Sequence, residues 1–476
     1  MFRISSERSL VAFSIIFSSL VCQLPHGVWS CAPADRIALS RFSSSLGMEI
    51  DGWPGAANYS GDCCRWLGVR CRRFRAYHDL RVVNLDLAGL GLTGPLLPST
   101  LAHLDELRVL NLSRNSIHGA FFLPELLRMP RLRVLDLSQN SLTGELTGAA
   151  AAPGSTSRLV HLDVSFNMLT GLRGPSVFLG LPRLRKFSAE SNQLSGLLPR
   201  SLSSCSELTY LNVANNSLHG TLTGFNFSRL ARLRAIHLDW NQLSGPLPAS
   251  LSHCREIRVV NFRRNNLSGP VPPAFRRLQA LSFFDIGVNS ITGIDQALRT
   301  LQHCRALAVL ILTTNFHGEE MPGNTTTMRG FPSLRLLGIA NRSTAPPIPA
   351  TLAALTALQK LDLSCNELAG EIPGSLAALT FLSCFDVSHN RLYGLVPAGG
   401  QFSTFPCSSF AGNPGLHGQY CDGNGSVVGG APEYDRALVT VGSEMFRLPF
   451  WLGMITGVCA TMIIYVVVVP YYSDND

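Results

Sequence analysis

Two short segments of this chain hold side chains that could act together: His237, Asp239 and Trp240 in one, and Asn261, Arg263 and Arg264 in the next. An indole offers apolar contact area, and two guanidiniums offer planar forks of N–H donors that match carboxylate, sulfate or phosphate. The chemistry is recognition: an acidic or sulfated peptide held without covalent change. The competing reading is that these are ordinary exposed strand positions with no ligand. Phe166 and Glu190 are weaker candidates for the same surface. Patterns that would make a catalyst are missing from the sequence, with no nucleophile elbow, paired-His metal helix, phosphate loop or kinase loop. Pairs such as Asp136/Ser138 and Asp362/Ser364 recur for a structural reason. The chain therefore reads as a binding protein, not an enzyme, and calls for no cofactor.

The elements that position these residues are written in the frame Leu-x-x-Leu-x-Leu-x-x-Asn-x-Leu-x-Gly, which recurs about every 24 to 27 residues from Val82 to Gly394. Clear copies are Leu107/Leu110/Leu112/Asn115/Ile117/Gly119 and Leu358/Leu361/Leu363/Asn366/Leu368/Gly370. Alternating apolar residues make a short strand with one buried face. The Asn sits where the chain leaves the strand, and its amide can satisfy backbone groups of the neighbouring coil. The Gly permits the tight turn that follows. No coil buries its leucines alone, so about thirteen copies stack and need a cap at each end. The fold class is an α/β leucine-rich-repeat solenoid with a concave parallel sheet, disulfide caps and one transmembrane helix. Residues flanking the strand leucines face the concave side, stacked at a spacing of ~4.8 Å.

The rest of the chain fits a surface receptor. Residues 1–30 read as a signal peptide, with Arg3 and Arg8 before an uncharged stretch from Leu10 to Val21 and a small-residue cleavage site after Ser30. Residues 31–79 are an N-terminal cap carrying Cys31, Cys63, Cys64 and Cys71 around Trp53 and Trp66. In an oxidising compartment these pair, with Cys31–Cys63 and Cys64–Cys71 the favoured set of the three connectivities. Zinc is the rival reading, but no His pair lies nearby at ligand spacing. The solenoid spans 80–398, a C-terminal cap and juxtamembrane segment 399–449, a transmembrane helix 450–469 and a short cytoplasmic tail 470–476. The uncharged run from Phe450 to Val469 is long enough, at ~1.5 Å per residue, to cross a bilayer. Arg436 and Arg447 before it and Asp474 and Asp476 after it run against the positive-inside bias, but cleavage of a signal peptide still sets a type I orientation at the plasma membrane. A lipid-anchor signal is the alternative. Gly453 and Gly457 form a small-residue motif for helix association.

Eight sequons, at Asn58, Asn111, Asn215, Asn226, Asn266, Asn324, Asn341 and Asn424, are candidate glycosylation sites. Asn111 and Asn215 fall on the concave side, where glycans would push a ligand towards the middle of the array. The net charge of +8 is almost wholly arginine, since Lys186 and Lys360 are the only lysines. Scattered arginines without a basic run or interleaved aromatics argue against nucleic acid. Cys205, Cys254 and Cys304 share one phase of the repeat and read as buried free thiols, whereas Cys365 faces the concave side.

The Cys63-Cys-x-Trp66 cap, the Gly245-Pro-Leu-Pro248 and Gly370-Glu-Ile-Pro373 continuations and the closing Gly399-Gly-Gln-Phe-Ser-Thr-Phe405 resemble plant extracellular receptor repeats. More narrowly, Leu104 to Asn115 and Leu301 to Leu307, running on to Asn315-Phe-His-Gly-Glu319, resemble the phytosulfokine receptors. That resemblance implies a membrane receptor that binds a short tyrosine-sulfated peptide, or another peptide or protein ligand, and recruits a co-receptor kinase. This chain departs from the family in four ways. Only a short segment separates Asn341 from Leu358, so the family's non-repeat island is missing. Ala214 stands where an arginine is frequent, no kinase follows the span, and the closing Leu-Cys-Gly reads Leu416-His417-Gly418. Cys407 and Cys421 are then left to pair with each other. The resulting architecture is that of a receptor-like protein borrowing an adaptor receptor kinase. A non-signalling decoy or inhibitor is the alternative, as is a truncated copy, whose expected mark is a misfit between Asn341 and Leu358.

Overall fold

The computed structural model describes residues 30–53, 62–74, 79–147, 157–173, 177–319, 331–339 and 347–418. The period of the apolar residues sets the architecture. Each Leu-x-x-Leu-x-Leu copy contributes one short strand, and these form a fourteen-stranded sheet in chain order. The first strand, Val69–Arg73, is antiparallel to Leu80–Asp86 and belongs to the cap. All later pairs are parallel, as in Tyr210–Asn212 beside Ala235–His237 and then Val259–Asn261. The leucines of every copy, including Leu107, Leu110 and Leu112, are fully buried in one continuous core. On the opposite side the chain returns through short turns of 3₁₀ helix such as Ala249–His253.

A column of asparagines joins coil to coil. Asn241, for example, donates from Nδ2 to Val213 O at 3.0 Å in the preceding coil and to its own Leu238 O at 3.1 Å, while its Oδ1 accepts from Leu218 N at 2.9 Å. The same set recurs at Asn115, Asn140, Asn265 and Asn289. The residue before each asparagine is left-handed: Arg114, Gln139, Phe166, Ser191, Asn215, Trp240, Arg264, Val288, Thr314, Cys365 and His389 all have φ between 51° and 57°. The coil-to-coil hydrogen bonds impose this conformation, since Trp240 N donates to Arg263 O at 2.9 Å and Arg264 N to Gly287 O at 2.8 Å. Among the glycines, Gly94 is required twice over. Its φ is +102°, and a Cβ there would lie 2.6 Å from Leu46 O.

A second, outer sheet follows the first from Thr93–Pro95 to Ser290–Thr292 and then stops. Helix Ile294–Leu301 takes over there, and the next described outer strand is Ala369–Gly370. The concave sheet does not stop. Leu336–Gly338 pairs in register with Lys360–Asp362, and Ile339 N donates to Asp362 O at 3.0 Å. The misfit expected between Asn341 and Leu358 falls largely on residues 340–346, which lie outside the described residues.

At the N-terminal end, helix Pro33–Ser45 lays Ala38, Leu39 and Phe42 over the first coil. Cys31 is bonded to Cys63 and Cys64 to Cys71, with Cα separations of 5.4 and 5.5 Å. Three of these sulfurs lie close enough together to share a metal ion, but all four cysteines are used in disulfides. Trp53 and Trp66 pack at a tilt of 40° with ring centroids 5.0 Å apart, and Trp53 Nε1 donates to Leu67 O at 3.0 Å. At the other end Phe385, Phe402, Phe405 and Phe410 close the core, with centroids 5.1 to 6.0 Å from Phe385. Cys407 is disulfide-bonded, and its expected partner Cys421 lies outside the described residues. So do the signal peptide, the span at 450–469 with Gly453 and Gly457, and the sequons Asn58, Asn324, Asn341 and Asn424. Among the described residues no helix is long and apolar enough to cross a membrane.

Candidate functional site

The parallel register brings the two segments singled out in the sequence side by side, because His237 pairs with Asn261 and Asn261 with Asp285. Two residues before each of these positions the strands carry Ala235, Val259, Phe283 and Val309, which form a buried apolar cluster flanked by Tyr210, Ile311 and Leu336. This is a separate cluster from the main core. It forms an apolar floor on the concave side.

Past the other end of the strands, five residues on from Ala235 and Val259, Trp240 is 41% exposed, and the guanidinium of Arg264 lies 4.0 Å from its ring centroid. A cation held over an indole is attracted by the ring quadrupole, so each side chain restrains the other. Burial and the charge of Arg263 both push the Arg264 pKa down. Arg263 does not join Arg264 as a second free anion donor. Its Nη1 is 3.4 Å from Thr313 Oγ1 and 3.9 Å from Asp285 Oδ2. Asn261 uses its Oδ1 to accept from Arg263 N at 3.2 Å. The His237 ring sits 5.7 Å from Tyr210, and burial lowers its pKa to about 4, so it stays neutral at pH 7.

Acids give the patch a character that arginine counting does not suggest. Asp239 has an Oδ1 that is buried and meets no hydrogen-bond donor. Burial is the main reason its pKa rises to about 7; a bond from its own backbone N–H opposes the rise, the charges of Asp285 and Glu190 add to it, and Arg263 also opposes it. Asp285 is pushed up to about 6 by burial against the pull of Arg263 and the bond from Gly287 N. Glu190 is raised by burial, and Asn212, which donates to it, holds it down in part. Glu190 thus belongs to the patch more firmly than its sequence context suggests. The floor and the Glu190–Asn212 pair were not singled out from sequence; the floor's signal is the first strand position, apolar in consecutive coils from Ala235 to Val309.

These raised carboxyls fix the sign of a pH effect. A group whose folded pKa lies above its unfolded value near 4 favours the folded state when protonated, and that stability is lost as pH rises towards the folded pKa. Asp239 and Asp285 therefore make stability fall between about pH 4 and 7. Asp239→Asn is expected to flatten that fall and raise stability at pH 8 by on the order of 1 kcal/mol. Parallel urea titrations of both proteins across this range test it, and an unchanged slope would show that Asp239 ionises freely.

Elsewhere on the concave side, Asn111 accepts from Ser113 N at 3.1 Å, and Asn215 is exposed with its Nδ2 3.1 Å from Ser191 Oγ. Asn226 and Asn266 are exposed. Cys205, Cys254 and Cys304 are buried and free, and each thiol points at a carbonyl of the preceding coil, as Cys254 Sγ does at Phe227 O, 3.4 Å away. Burial pushes all three pKa values up to about 12. Cys365 is free and exposed.

Known proteins agree with this geometry. Profiles described as leucine-rich repeat match residues 131–149, 157–218, 232–254 and 357–379. Phytosulfokine receptor 1 of Arabidopsis thaliana is 44% identical over 87 residues, 18% of this chain and 8% of the receptor. Receptor kinase-like protein Xa21 of Oryza sativa subsp. japonica is 41% identical over 85 residues, 17% of this chain and 8% of its own length. The matched stretch thus spans less than a tenth of either relative. The solved ectodomain of the Arabidopsis receptor kinase HAESA, in complex with an IDA peptide hormone, superposes with a TM-score of 0.53 at 24% identity, covering 82% of this chain and 69% of that one. At that identity the likeness establishes the fold. The chain carries leucine-rich repeats, and over short stretches it is similar to plant leucine-rich-repeat receptor kinases. Phytosulfokine receptor 1 is among the relatives it resembles.

Proposed function

We propose that this chain is a cell-surface receptor-like protein that binds an extracellular peptide on the middle of its concave face and signals through partner receptor kinases. One observation carries the reading. Trp240 and Arg264 stand exposed, next to an Asp239 oxygen that is buried without a donor. A buried acceptor left unmatched costs about 1–3 kcal/mol, and a ligand donor would recover it. In this reading Trp240 anchors an apolar side chain, Arg264 meets an acidic or sulfated group, and Asp239 takes an N–H or ammonium. His237 and Arg263 orient the ligand from the sides. From their sequence we infer that residues 450–469 are the anchor of a single-pass type I protein of the plasma membrane, with Gly453 and Gly457 as its helix-association motif. Asn215 holds the position equivalent to Trp240 in the preceding coil, so a glycan there would cover the patch, and the reading requires Asn215 to be unglycosylated.

Calorimetric titration of the purified chain with sulfated and unsulfated phytosulfokine-type peptides tests the proposal. Sulfate-dependent binding is expected, weakened about tenfold by Trp240→Ala and by Arg263→Ala with Arg264→Ala. Affinity for a peptide with a free ammonium is expected to rise as pH passes the Asp239 value of about 7. No binding by the folded chain would discard the hormone-receptor reading. Binding without kinase recruitment would leave a decoy or inhibitor.

A further inference from the structure

A second surface lies where the strands of the concave sheet begin, along the edge of the sheet. There Arg133, Arg158, Arg183 and Arg185 line a cleft of about 660 Å³ with Val160, Pro182 and Glu207. Arg133, Arg158 and Arg183 are exposed, and none makes an ion pair or side-chain hydrogen bond with a described residue. The neighbouring cleft differs. It shares Arg185 and Glu207, but its Arg232 contacts Glu207 and its Arg234 is 3.0 Å from Glu256. The basic excess is therefore confined to three guanidiniums contributed by successive coils.

We propose that this cleft binds a linear carboxylated polysaccharide, a chain of uronic-acid sugars lying across successive coils. Arg158 and Arg183 hold equivalent positions of adjacent coils and Arg133 lies two residues further along the frame in the coil before, so three successive coils each present a guanidinium to the cleft, as an anionic polymer laid across the coils would require. A guanidinium fork takes a planar carboxylate through two parallel N–H···O bonds. The walls are Val160 and Pro182, apolar but not aromatic. Single-stranded nucleic acid binds by stacking bases on aromatic rings, and this cleft offers none. The inference is independent of the peptide site, which lies on the concave face and uses other residues.

The test is titration of the full chain, purified in detergent, with oligogalacturonides of defined length. Longer oligomers are expected to bind more tightly, and added salt to weaken them all. Fully methyl-esterified oligomers, which keep the sugar and lose the charge, are expected to lose at least about tenfold in affinity. Arg133→Gln with Arg158→Gln and Arg183→Gln should give a similar loss, whereas Arg234→Gln in the neutralised cleft should change little. Equal binding of esterified oligomers by the unmutated chain would overturn the proposal without relying on any variant. A single-stranded DNA of equal charge that binds more tightly would overturn it in favour of nucleic acid. Phosphatidylserine vesicles bound to the exclusion of oligogalacturonides would assign the cleft to a membrane surface.

Discussion

Asn315→Ala is expected to lower the unfolding free energy by about 3–5 kcal/mol. Asn315 is wholly buried. Its Oδ1 accepts from Ile291 N at 2.9 Å, and its Nδ2 donates to Ile286 O at 2.9 Å, Thr313 O at 3.2 Å and Leu312 O at 3.3 Å. Alanine would strand one amide and several carbonyls away from water, each costing about 1–3 kcal/mol, with some relief from relaxation. Asn315→Asp should not rescue the loss, because a carboxylate has no N–H to give and buries a charge. Asn266→Ala, at an exposed position, is expected to change stability by less than about 0.5 kcal/mol. Urea denaturation of the three variants checks this, and a cost below about 1 kcal/mol for Asn315→Ala would refute the ladder's energetic role.

The second large effect is at the N-terminal cap. Asp35 has no exposed surface; it accepts from Arg81 Nε and Nη2, the latter at 2.8 Å, and from Val82 N at 2.7 Å. Arg81 is 7% exposed and also contacts Asp105. Removing one partner of a buried pair leaves an uncompensated charge, so Asp35→Ala is expected to cost about 3–5 kcal/mol. Asp35→Leu combined with Arg81→Met should recover much of that, because the charge is removed along with its partner. Proteolysis between helix Pro33–Ser45 and the first coil reports the same event. Resistance of Asp35→Ala equal to the parent would mean that the disulfides hold the cap unaided.

The fold was legible because its code is periodic. Leucines at fixed spacing fill one core, and the asparagine role read from the sequence is the one the hydrogen bonds display. The helix at Ile294–Leu301 was not legible as the end of the outer sheet, although its sequence mark was in view. Asn315 to Glu319 departs from the repeat, and Glu319 bonds Gly293 N at 2.6 Å and Ile294 N at 2.8 Å, holding the start of that helix. The site was half legible. Register alone places His237, Asp239 and Trp240 beside Asn261, Arg263 and Arg264. Whether a guanidinium is free or already engaged depends on residues one and two coils away, and Arg263 is spoken for by Asp285 and Thr313. The edge arginines drew no notice because they are scattered in sequence and converge only when coils stack.

The left-handed residue before each ladder asparagine has a consequence for how such a surface changes over time. Its backbone is dictated by the neighbouring coil, so the strain of about 1–2 kcal/mol falls on any non-glycine side chain placed there. The positions already hold arginine, glutamine, phenylalanine, serine, asparagine, tryptophan, valine, threonine, cysteine and histidine in the same geometry. The row behaves as a set of interchangeable sockets along the rim. A chain built this way can trade one ligand for another by single substitutions at sites such as Trp240 and Arg264, leaving the scaffold that presents them unaltered.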